Sequence, residues 1–206
     1  MTSPLYPWVL PVATWLSLPI VLLFAWRCRG FFRAWGIAFG IAIALDAWLN
    51  GTFSPVPPTS PWAPRFGLVF VVLGDLRWFL AVEWDGRRRS PAVAFAWASA
   101  VPLMTQLLRM ILPAIAETPR FTYLAYELLF LLWLAFYGAV RGRGLPPQQR
   151  AFATVTGRFV AVQYALWAVL DVLLLRGVDV IELRSDPDAL YYVGFVPFVL
   201  RQLRAS

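Results

Sequence analysis

The segment FGLVFVVLGDLRWFLAVEW, Phe66 to Trp84, is apolar over a length that crosses a bilayer, yet it carries Asp75 and Arg77 near its middle. A charge at mid-bilayer costs roughly 3 kcal/mol on insertion scales, so such residues face a partner or water inside a helix bundle. Asp75 therefore marks an interior. Because positions i and i+2 point to nearly opposite sides of a helix, Asp75 and Arg77 cannot pair with each other, and each needs a partner on another helix.

The rest of the chain is built to supply that interior. Of its 206 residues 60% are hydrophobic and only 14% charged, and the mean hydropathy is +0.66, outside the range of soluble domains. We expect an all-α polytopic membrane helix bundle, a single transmembrane domain over residues 1–206, with the lipid bilayer as its main partner. The net charge of +7 does not point to nucleic acid, because the basic residues sit in short clusters between apolar runs. All 18 basic residues are Arg, and there is no His. That removes Lys Schiff bases, His-ligated haem, most catalytic zinc sites and the Ser-His-Asp triad, so no cofactor and no metal are expected. The one cysteine, Cys28, lies between Arg27 and Arg29 and reads as a loop-edge thiol.

Seven spans are expected. The first runs from about Tyr6 to Trp26, with no positive charge ahead of it and flanks unlike those of a cleaved signal peptide. The second, about Ala34 to Phe53, carries Gly36, Gly40 and Ala44 at four-residue spacing, a ridge for close helix packing, and Asp46 and Asn50 one turn apart. A Pro-rich segment, SPVPPTSPWAP, leads into the Asp75 span. The fourth span, about Pro91 to Leu112, holds Gln106 and Arg109. The fifth, about Phe121 to Val140, holds Glu127. The sixth, about Ala153 to Leu175, places Gln163, Trp167 and Asp171 on one stripe, and the seventh runs from about Ala189 to Leu203. Trp8, Trp26, Trp35, Trp48, Trp62 and Trp84 fall near span ends, as interfacial anchors do.

Arginine placement orients the bundle. Alternate loops and the C-terminus hold Arg27, Arg29, Arg33, Arg87, Arg88, Arg89, Arg141, Arg143, Arg150, Arg201 and Arg204, whereas the intervening loops hold only Arg65, Arg120, Arg176 and Arg184. By the positive-inside rule the N-terminus is outside and the C-terminus cytoplasmic. The lack of Lys beside abundant Arg, Ala, Pro and Gly suggests a high-GC bacterial genome and a cell inner membrane location.

Given those directions, and roughly 1.5 Å of rise per residue, Asp46, Asp75, Glu127 and Asp171 share one slab of the membrane with Arg77 and Arg109. Four carboxylates against two guanidinium groups leave an acid that is protonated at neutral pH. The expectation is an intramembrane enzyme isomerising or cyclising a hydrophobic lipid or isoprenoid by general acid/base chemistry. Asp75 and Asp171 are the acid candidates, Glu127 and Asp46 the base candidates. Asn50, Arg77, Gln106, Arg109, Gln163 and Trp167 would line the substrate site, the last offering cation–π stabilisation. In gross layout the chain resembles the small integral-membrane terpene cyclases, with their seven or so helices and reliance on acids, but no motif match carries residues over. A transporter is the alternative. ALDAWL and VLDVLL, around Asp46 and Asp171, would be equivalent in a three-plus-one-plus-three layout like that of the small sugar exporters. A third reading is a sensor or assembly subunit whose buried charges only hold the bundle together.

Overall fold

The computed structural model describes residues 15, 18–50, 54–57, 59–83 and 91–205. Its regular elements are all helical among those residues. They are α1 (18–26), α2 (Gly30–Asn50), α3 (Ala63–Glu83), α4 (Pro91–Ile111), α5 (Pro113–Glu117), α6 (Pro119–Val140), α7 (Pro147–Leu175), α8 (Ser185–Ala189) and α9 (Phe195–Ala205). Single 3-10 turns precede α7 and α8, and a π-helical turn, Leu190–Gly194, joins α8 to α9.

Four helical segments are long and apolar enough to cross a membrane: Gly30–Leu49, Pro91–Ile111, Pro119–Gly144 and Pro147–Leu175. α3 has 21 residues, as α2 does, but is not among them, since it carries Arg65, Asp75, Arg77 and Glu83. The outward faces are strongly apolar. Leu103, Leu107 and Ile111 on α4, Leu128, Leu132 and Phe136 on α6, and Val155, Val162, Leu166 and Val169 on α7 are all exposed. Such rows are costly in water and suited to hydrocarbon.

Helices adjacent in sequence pack side by side: α2 on α3, α3 on α4, α4 on α6, and α6 on α7. α9 packs on both α7 and α2, which closes a ring, and α3 also meets α7 across the middle. α3 is therefore the helix with neighbours on several sides, as its buried charges require. Between α1 and α2 the fit depends on glycine. A Cβ at Gly36 would come within 2.8 Å of the Ala25 Cβ, and one at Gly40 within 2.8 Å of Val21 Cγ1. The small-residue ridge is thus a packing surface for α1.

Several boundaries differ from those the sequence suggests. α7 starts at Pro147 rather than near Ala153, because proline at the first helical position loses no hydrogen bond and supplies the right φ. α4 stops at Ile111, where Pro113 starts the short α5. The expected last span is a jointed path of α8, π turn and α9. Trp35 is not an interfacial anchor but buried: its Nε1 donates to the Arg77 carbonyl at 3.0 Å, and its ring packs on Phe39 and Phe195. Trp26, Trp48 and Trp62 are exposed as expected, while Trp8, Trp84 and Arg87 to Arg89 lie outside the described residues.

Candidate functional site

The polar groups of the interior hang on α3. Asp75, 2% exposed, turns toward α6 and α7, where Tyr126 and Tyr164 each donate a hydroxyl to its carboxylate. Tyr164 reaches Oδ1 at 2.7 Å, and Tyr126 makes a close bond to Oδ2. No arginine makes an ion pair with Asp75 among the described residues. Its surroundings are aromatic, since the Tyr164 ring stacks on Phe130 with centroids 4.1 Å apart and meets Trp167 edge-on at 5.3 Å.

Arg77 turns the other way. Its Nη1 donates to the Tyr191 carbonyl at 2.8 Å, and its guanidinium lies 4.0 Å from the Tyr191 ring centroid and 4.2 Å from that of Phe195. The π turn sets this up: it carries Tyr191 and Tyr192 side by side, with Tyr192 donating to Asp46 Oδ2 at 3.0 Å. Turns of this type recur at functional sites. The Tyr191 hydroxyl is seated directly over Gly74, where any Cβ would collide with it. Tyr191 therefore stands between Asp75 and the α2 side of α3.

On that α2 side lies an open cleft lined by Phe39, Ala42, Ile43, Asp46, Phe70, Leu73, Gly74, Arg77 and Tyr191. It is narrow, with room in all for about one water molecule. Of the expected site residues only Asp46 and Arg77 reach it, so the candidate groups do not all share this cleft.

A second station sits at the N-terminal end of α6. Asp171, wholly buried, accepts from Arg120 Nη1 at 2.9 Å and from Arg184 Nη1, both at Oδ1. Glu127 lies against the same carboxyl, and neither Glu127 Oε2 nor Asp171 Oδ2 has a hydrogen-bond partner. Asp188, on α8, accepts from Trp167 Nε1 at 2.9 Å. Burial pushes the Asp188 carboxyl up to about 6, against the opposing pull of the Arg184 charge and the Trp167 N–H. Farther along α3, Glu83 takes both Nε and Nη2 of Arg141, at 3.0 and 2.9 Å, and the Tyr137 hydroxyl at 2.8 Å, a clamp between helix ends.

The structure thus gathers Asp46, Asp75, Arg77, Glu127, Gln163, Trp167 and Asp171 into the interior. Gln163 is buried with neither amide atom partnered. Gln106 and Arg109 stay apart: Gln106 is exposed, takes Arg109 Nη1 at 3.2 Å, and neither is bonded to the other groups among the described residues. The side chain of Asn50 lies outside the described residues. Asp46, in ALDAWL, accepts from a tyrosine hydroxyl, and Asp171, in VLDVLL, accepts from two arginines.

Sequence reasoning missed the four tyrosines and two of the arginines. Tyr126, Tyr164, Tyr191 and Tyr192 lie inside or beside apolar runs, where a buried hydroxyl must find a partner; that was the available signal. Arg120 and Arg184 read as loop charges and turn inward instead. No family model, curated protein or solved structure matches the chain.

Proposed function

We propose that the chain is an inner-membrane enzyme that uses Asp75 for general acid/base chemistry on a hydrophobic lipid or isoprenoid. The supporting observation is the state of Asp75: a buried carboxyl held by two neutral hydroxyls with no arginine bonded to it. A carboxylate locked to guanidinium cannot readily exchange a proton, whereas one held by tyrosines can give a proton up and take it back. Asp75 protonates a substrate double bond, the surrounding Phe130, Tyr164 and Trp167 rings stabilise the cation formed, and loss of a proton from a neighbouring carbon completes an isomerisation or cyclisation. Asp46, across the Tyr191 partition, is the base. Movement of Tyr191 off Gly74 joins the cleft to Asp75.

The test is the lipid inventory of host membranes containing equal amounts of wild type or the Asp75→Asn variant, read by mass and retention time. The proposal expects one lipid replaced by an isomer of equal mass in the wild type only. Identical inventories would refute it.

Proton-coupled transport is the second reading, favoured by the run of buried titratable groups from Asp46 through Tyr191 and Asp75 toward Asp188 and Asp171. It expects solute-driven proton uptake by proteoliposomes that Asp46→Asn abolishes.

A further inference from the structure

Arg77 presents an unusual imbalance. It is 3% exposed, yet forms no ion pair among the described residues and spends one N–H on the Tyr191 carbonyl. A guanidinium has five N–H donors, so most of its capacity is unspent at the wall of a cleft. Stacking against Tyr191 and Phe195 covers its faces and leaves its edge for hydrogen bonding.

The same cleft contains Asp46, an acceptor already steered by the Tyr192 hydroxyl. A group entering between them meets donors from one side and an acceptor from the other. A hydroxyl matches both, with lone pairs to accept from Arg77 and a proton to give to Asp46. A carboxylate or phosphate satisfies Arg77 but sets a second negative charge against Asp46. An ammonium fails in the opposite sense.

The rest of the lining is apolar: Phe39, Ala42 and Ile43 from α2, with Phe70 and Leu73 from α3. A molecule arriving there comes from hydrocarbon, tail outward and polar end first.

We propose that the α2–α3 cleft binds the hydroxyl of a long-chain lipid alcohol, with Arg77 donating to its oxygen and Asp46 accepting its proton. The binding claim stands on the cleft alone; that the alcohol is the substrate rests on the enzyme reading above.

The test uses purified protein in detergent with tritiated farnesol, competed by farnesyl phosphate, farnesene and palmitate. Saturable farnesol binding is expected, with the three competitors about 10- to 100-fold weaker, the difference made by one hydrogen bond to each charged group. Asp46→Asn and Arg77→Lys weaken farnesol by a similar factor. Ala42→Leu fills the cleft while leaving both charges in place, and it abolishes binding with an unchanged melting curve, which separates loss of the site from loss of the fold. Tighter binding of farnesyl phosphate or palmitate overturns the proposal in favour of an anion site, and equal binding of farnesene reduces the cleft to a greasy surface. No saturable binding by folded wild type also overturns it. A wild type that binds the alcohol but leaves the lipid inventory unchanged retires the enzyme reading and keeps the site.

Discussion

Asp75 and Asp171 are both buried in the fold and are stabilised in opposite ways. Asp171 is ion-paired to two arginines on one oxygen, whereas Asp75 is held by two tyrosine hydroxyls and forms no ion pair among the described residues. A buried ion pair is expensive to break, because removing one partner strands the other's charge. A buried carboxyl among hydroxyls is cheaper to alter and chemically freer. The first arrangement fixes helix ends and the second leaves a proton to move.

The largest effect should come from Asp171→Ala, which takes from Arg120 and Arg184 the carboxylate they share. We expect a loss of about 3 kcal/mol in denaturant unfolding in detergent. A loss below about 1 kcal/mol would break the contrast by showing that Asp171 is no anchor. Gly74→Ala should come next. Its methyl displaces the Tyr191 ring, costing about 2 kcal/mol by overpacking, and a further Tyr191→Phe change recovers part of that by removing the colliding hydroxyl. Asp75→Asn should cost only about 1 kcal/mol, since an amide can still accept one tyrosine hydroxyl and donate to the other.

That ordering bears on what the sequence could tell. Asp75 and Arg77 demanded partners on other helices, and both found them. The all-α class and the apolar length of α2, α4, α6 and α7 were equally legible, because composition and run length report on solvent rather than on contacts. The partners themselves were not legible. Tyr126 and Tyr164 look like ordinary aromatic residues in apolar helices until the packing of α3 against α6 and α7 aims them at one carboxyl. Arg120 and Arg184 lie at segment ends, where charge counting assigns them to loops, and only the tertiary fold shows them turned toward Asp171. The charge ledger of four acids to two arginines was therefore incomplete.

The smallest effect concerns pH. The Asp188 carboxyl titrates near 6 in the fold, above its ordinary 3.8, so its ionisation opposes folding. Its contribution to stability is present in full below about 3.8 and is lost as pH rises through about 6. Lowering the pH from 7.5 to 5 should therefore stabilise the wild type relative to Asp188→Asn by about 1 kcal/mol, discounted for partial exposure. Thermal melts of both proteins at the two pH values check this, and a difference of opposite sign would place Asp188 with the ion-paired group.

The most direct test of a mobile proton at Asp75 is a reaction run in heavy water with lipid from the host membrane. The account predicts that the wild type introduces deuterium at carbon in one lipid, seen as a mass increase of one deuteron, and that folded Asp75→Asn introduces none. Equal labelling by both proteins, or no labelling by the wild type, would contradict it.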